Sequence, residues 1–439
     1  MKKFFYVSLL LLAGDCSPSK PAQNTTGQLN QLAEQYVRLG LTIGQYDEAF
    51  VDAYYGPDSL RPQAPKAAVF PKDSLLKAVA ELSVKLQELA RFGKNDTLLQ
   101  TRTAWIQAQL TAFTSRIRIF SGQYPSFEEE TKELFGVTVP TYPEKHFREL
   151  VAQLNNSLPG KGNLNERFQQ LANRFIIPKE KLNTVFRAAI AECRKRTKAH
   201  YELPVTEDFT LEYVTNKPWS GYNWYKGRYQ SLVQINTDLN IFIEKAIDVG
   251  SHESYPGHHV YNMLLEKNLY QDKGWLEISL YPLFSPQSLI AEGSANYGID
   301  VTFPGKEKNR FAREVLLPLA GLDTTGLDQY FAALELKSEL NYARNEVARG
   351  LLNGTMTETE ALRWLQEYGL NNRETALKSI SFIRTNRSYV INYNYGKDLV
   401  KNYIESNGGT DKDPAKHWQL FAKLLSNPVT PADLLPAKP

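Results

Sequence analysis

Three of the chain's six histidines fall within one short run, His252-Glu253-Ser254-Tyr255-Pro256-Gly257-His258-His259. Imidazole is a neutral ligand suited to zinc, and a carboxylate beside the first histidine is what metal-assisted hydrolysis needs as a general base. His146, His200 and His417 are scattered and read as surface or internally satisfied residues. The usual helical zinc signature sets two histidines four positions apart on one face, with a glutamate after the first. Here position 256 is proline. On an unbroken helix His258 would lie about 9 Å along the axis from His252, and His259 about 10.5 Å. Two ligands each about 2 Å from one ion do not span that distance. Pro256 lacks an N–H and clashes with the preceding turn, while Gly257 frees the backbone. The helix must therefore bulge or break there, carrying a later histidine back toward His252.

A third ligand has to come from another element. Glu292, in Ala291-Glu292-Gly293-Ser294-Ala295-Asn296-Tyr297, is the candidate. The stretch after Ser285-Pro286 reads as a new helix, which could face the first as an antiparallel neighbour. Two histidines and a glutamate leave a fourth position for water. Asp248, one helical turn before His252, either orients a ligand imidazole or is a solvated helix aspartate.

The elements that must hold these residues are mostly helices. Leu75, Val79, Leu82, Leu86 and Leu89 repeat at helical spacing, as do Leu99, Ile106, Leu110 and Phe113, and Phe186, Ile190 and Cys193. Pro143-Glu144 opens a helix, Pro159-Gly160-Lys161-Gly162 closes one, and Pro178-Lys179-Glu180 opens the next. The texture changes over 209–238, where aromatic and β-branched residues flank Lys226-Gly227, which predicts a small antiparallel sheet. A strand such as Ser231 to Asn236 could pair with an extended peptide in the cleft.

The 439 residues are 42% hydrophobic and 23% charged, an ordinary globular composition that excludes disorder and collagen-like repeats. A formal charge of +3 with scattered basic residues gives no reason to expect nucleic acid as a partner. Two cysteines, Cys16 and Cys193, make no disulfide framework, and Cys193 reads as buried and inert. Met1-Lys2-Lys3 and the apolar run to Gly14 have the form of an export signal, too short to span a membrane. Cys16 directly behind it resembles a bacterial lipoprotein acylation site, although Asp15 stands where a small residue is usual. The expected organisation is a signal over 1–16, a linker over 17–28, and a helical region over 29–200 walling a cleft. A catalytic region follows over 201–439, with the sheet at 209–238, metal-binding helices at 240–300 and further helices beyond. The mature protein is expected in the cell envelope, lipid-anchored through Cys16, or otherwise periplasmic or secreted.

His-Glu-x-x-Pro-Gly-His-His followed by Glu-Gly-x-Ala-x-Tyr resembles the bacterial family catalogued as domain of unknown function 885, whose members look like distant zincin metallopeptidases. The likeness takes in Asn236-Thr237-Asp238, the segment Ile241 to Leu265, Glu292 to Tyr297, and Tyr393-Asn394-Tyr395-Gly396, roughly the second half of the chain. It implies a mainly α, zincin-like helical metallopeptidase fold with zinc as cofactor. The family pattern carries both final histidines; His258 is the preferred ligand beside His252 and Glu292. His259 is the alternative ligand, or a support or substrate contact. Glu253 would be the general base, and Tyr393 the oxyanion donor ahead of Tyr395, Arg387 and Arg384. Ser294 replaces a tryptophan common in the family. Arg387-Ser388-Tyr389 replaces Pro-Gly-Gln, which leaves specificity open. The expected substrate is a peptide or peptide-like amide. A zinc hydrolase of other amides or esters, and a non-catalytic helical lipoprotein that binds ligands, are the alternatives.

Overall fold

The computed structural model describes residues 24–158, 160–217 and 219–435. The export signal and Cys16 lie outside these residues. The helical region expected over 29–200 forms as α1 (Thr25–Gly44), α2 (Lys72–Phe92), α3 (Thr97–Phe120), α4 (Phe127–Phe135), α5 (Glu144–Ser157), α6 (Leu164–Ala172) and α7 (Leu182–Lys198), with the three periodic stretches in α2, α3 and α7. Their boundaries have local causes. Asp96 caps α3 by accepting from the Leu99 N–H at 3.0 Å, and Ser126 and Glu129 cap α4 reciprocally. The five-residue apolar stripe Leu75 to Leu89 is buried along α2, which packs against α1 and α3.

The site region is built from α8 (Ile243–Glu253), α9 (His258–Leu265) and α10 (Pro286–Thr302). Nearly every residue of α10 is buried, the mark of a helix surrounded by others rather than one lying on a surface. It packs against α3, α4, α8, α9 and, most extensively, the helix Ile391–Ser406. One continuous hydrophobic core runs from Leu29 to Leu434.

Two small sheets frame these helices. Strand β1 (Val51–Tyr54) pairs antiparallel with β5 (Leu280–Pro282), directly before α10; this pairing was not foreseen from the sequence. The expected sheet consists of β2 (Asp208–Val214), β3 (Gly221–Gly227) and β4 (Gln230–Asn236), in the order β2-β4-β3. β3 and β4 form the expected antiparallel hairpin, and β2 adds a parallel edge, Phe209 opposite Ser231. Strand β4 is thus central, with both of its edges paired, and has no free edge for a substrate. That corrects the expectation for Ser231 to Asn236. β3 is the edge that lies against α8 and α9.

Candidate metal centre

The helix carrying His252 ends at Glu253, and α9 starts afresh at His258. Between them the chain folds back so tightly that the Gly257 N–H donates to the Ser251 carbonyl at 3.1 Å. A Cβ at 257 would overlap the backbone carbonyls of Ser251 and His252, so only glycine fits this return. The break cancels the axial separation of an intact helix. His252 Nε2 and His258 Nε2 come to 3.1 Å, with the rings nearly perpendicular.

Glu292 reaches the same point from α10. Its Oε2 lies 3.2 Å from His252 Nε2 and 3.7 Å from His258 Nε2. A tetrahedral ion with bonds of about 2.0–2.1 Å sets its ligands about 3.3 Å apart, so the three donors are spaced as one zinc needs. Glu292 Oε1 accepts a hydrogen bond from the Tyr389 hydroxyl at 2.8 Å, while the buried Oε2 accepts none among the described residues. A buried carboxylate oxygen left without a donor beside two imidazoles is the chemistry of a cation site. Without metal the Glu292 carboxyl is lowered: burial raises it, but the two histidines outweigh burial. Burial lowers His258, and the Glu292 charge overrides this to bring it up to about 9.

Glu253 is buried at the end of α8, its carbonyl accepting from Asn223 Nδ2 of β3 at 2.6 Å. Burial, reinforced by the charges of Glu292 and Asp52 and opposed by the histidines, raises its carboxyl above the ordinary glutamate value. Burial, reinforced by the charges of Glu292 and Glu253, pushes the Tyr393 phenol well above 10, so it stays neutral. Its ring packs 5.8 Å from that of Tyr389.

The other candidates lie elsewhere. His259 follows His258 by one position, about 100° round the helix, and faces the sheet instead of α10. Its Nδ1 is 2.8 Å from the Ser231 hydroxyl and its Nε2 3.2 Å from Glu207. Tyr255 and Arg194 donate to the same carboxylate. Both ring nitrogens of His259 are engaged and its side chain is fully buried. Asp248 pairs with Lys308 and Lys245 and makes no hydrogen bond to a histidine among the described residues. Arg387 is bound to Glu130 at 2.7 Å, and Arg384 is exposed and paired with Glu358. Tyr395 is half-buried and feels the charge of Asp398 rather than those of Glu253 and Glu292. Cys193 is fully buried, its thiol pushed up to about 12.

Three residues of the site escaped the sequence reading. Tyr389 sits in the tripeptide that departs from the family pattern, which was the one available signal. Asp52 on β1 and Tyr222 on β3, hydrogen-bonded to each other, carried none. Burial raises Asp52 to about 6, opposed by the Tyr222 hydrogen bond and the His258 charge.

No family model and no curated protein matches the chain. Among solved structures, a protein from Colwellia psychrerythraea provisionally named a lipoprotein is 14% identical, with a TM-score of 0.50 over 81% of this chain and 69% of that one. A protein of unknown function from Shewanella oneidensis, also provisionally named a lipoprotein, is 12% identical, with a TM-score of 0.44 over 81% and 70%. The M32 carboxypeptidase of Deinococcus radiodurans R1 is 12% identical, with a TM-score of 0.41 over 94% of both chains. No helix among the described residues is long and apolar enough to cross a membrane. The chain therefore has a mainly helical fold with a small sheet beside the two helices that carry the histidines, similar in fold to the Colwellia protein.

Proposed function

We propose that this chain is an exported zinc-dependent hydrolase that cleaves peptides, as its resemblance to family 885 implies. The observation that carries the reading is the meeting of His252, His258 and the donorless Glu292 oxygen, with a buried glutamate adjacent in sequence to the first histidine. These three residues would hold the ion. When bound, zinc supplies a Lewis acid that polarises the scissile carbonyl and acidifies water toward neutral pH.

The chain's own residues do the rest. Glu253 takes a proton from the attacking water as the C–O bond forms, and delivers it to the amine nitrogen as the C–N bond breaks. Its raised carboxyl suits both halves of that exchange. Tyr393 donates to the carbonyl oxygen as negative charge builds there, remaining neutral throughout. Tyr389 fixes Glu292 in the orientation that leaves Oε2 free. Export, with anchoring through Cys16, rests on the N-terminal sequence.

Replacing Glu253 by Gln tests the reading. Zinc content should stay at that of the wild type while hydrolysis of a peptide library falls at least about 100-fold. Unchanged turnover would remove Glu253 from the chemistry. A zinc-loaded wild type that cleaves esters or other amides but no peptide would shift the substrate class.

A further inference from the structure

Most buried and half-buried arginines among the described residues are ion-paired, while Arg167 binds the Leu158 and Asn155 carbonyls instead. Arg102 is bound to Glu277 at 2.7 Å, Arg116 to Asp47 at 2.6 Å and Arg387 to Glu130 at 2.7 Å. Arg344, on the first turn of the helix Tyr342–Leu352, is the contrast. It is half-buried, forms no ion pair or side-chain hydrogen bond among the described residues, and its Nε is buried without a partner. Its guanidinium lies over the Phe382 ring at 4.7 Å. That ring packs 6.3 Å from Tyr393 and 6.4 Å from Tyr389, the two tyrosines of the candidate centre. The Tyr393 phenol feels the charge of Arg344 together with those of Glu292 and Glu253. A desolvated cation without a counter-ion is costly to keep, and an anion that arrives with the substrate offsets that cost.

We infer that Arg344 is the subsite for a substrate carboxylate, one residue beyond the scissile bond. This rests on the hydrolase reading above, and it narrows the substrate to short peptides or acyl amino acids with a carboxylate on the leaving side. A planar guanidinium matches a carboxylate bidentately. A multiply charged anion fits poorly, because Arg344 offers a single positive charge beside the Tyr393 phenol. Either a C-terminal α-carboxylate or an acidic side chain offers this chemistry.

The test uses the zinc-loaded full chain and three N-blocked dipeptides: one with a free C-terminus, its C-terminal amide, and an amide ending in Glu. Wild-type kcat/KM for the free acid should exceed that for the neutral amide by about 100-fold, the scale of one charged hydrogen-bonded pair. In Arg344→Met the acid should fall to within about threefold of the amide, and Arg344→Lys should recover part of the difference. A preference limited to the free acid assigns the α-carboxylate, and an equal preference for the Glu-terminated amide assigns a side chain. Equal wild-type rates on all three, or a loss in Arg344→Met that is the same for acid and amide, would overturn the inference. Calorimetry separates it from the peptidase reading. Zinc-loaded Glu253→Gln protein should bind N-acetylphenylalanine but not its amide, and E253Q/R344M should bind neither. Binding without any turnover in the wild type leaves the subsite and removes the peptidase; equal binding of acid and amide removes the subsite.

Discussion

Gly293 of α10 and Gly396 of the helix Ile391–Ser406 meet backbone to backbone. A Cβ on Gly396 would lie 2.9 Å from the Leu289 carbonyl oxygen and 3.3 Å from the Gly293 Cα, and one on Gly293 would overlap the Gly396 carbonyl. These glycines follow Glu292 directly and close the Tyr393-Asn394-Tyr395-Gly396 element. Their contact brings together the helices that carry Glu292 and Tyr393, the proposed ligand and the proposed oxyanion donor. Asn296 ties the same pair by donating to the Tyr393 carbonyl at 3.3 Å.

Replacing Gly396 by Ala should therefore push the two helices apart, costing about 1–3 kcal/mol. Urea unfolding should show a lower midpoint with an unchanged slope. Zinc affinity and kcat should fall together, because both Glu292 and Tyr393 move. A variant with wild-type midpoint and activity would mean the helices do not need this approach.

Tyr389 acts on the centre through Glu292. Tyr389→Phe removes the donor to Oε1 and lets the carboxylate rotate, so zinc affinity should weaken about 10- to 100-fold. Competition against a fluorescent chelator measures it. Turnover at saturating zinc should drop far less than in Tyr393→Phe, where an oxyanion donor is lost and kcat should fall about 100-fold with KM little changed. The two tyrosines exchanging these phenotypes would reverse their roles.

The metal-free chain should respond to pH in a definite direction. His258 is raised to about 9 in the folded state from an ordinary value of 6.5, so the stability of its charged form is fully present below pH 6.5 and is lost as pH rises through 9. Denaturant midpoints of the metal-free protein should fall between pH 6.5 and 9.5, with a smaller fall in His258→Asn. Apparent zinc affinity should rise over the same interval, because binding must displace that proton. A flat zinc affinity from pH 6.5 to 9 would mean that His258 does not hold the proton.

Much of this was legible before the fold was seen, because the signals were local. Helical periodicity gave α2, α3 and α7, and Pro256-Gly257 required the return that brings His258 to His252. What was not legible depended on distant partners. Nothing in Val51-Asp52-Ala53-Tyr54 announces that it will pair with a strand more than two hundred residues later and set Asp52 beside the centre. Strand order is equally non-local, which is why β4 looked available to substrate when it is the middle strand. The different settings of His258 and His259 depend on Glu207, just before β2, and Ser231 of β4, which both engage the His259 ring. Nor did the sequence show that Arg387 would pair with Glu130, on α4, far away along the chain.

Zinc stoichiometry of the mature chain tests the central claim most directly, comparing wild type with His252→Ala, His258→Ala, Glu292→Ala and His259→Gln. The account predicts about one zinc per wild-type chain, retained in His259→Gln and lost in the other three with the helical circular dichroism intact. No stoichiometric zinc in wild type after metal is supplied, or loss in His259→Gln with retention in His258→Ala, would contradict it.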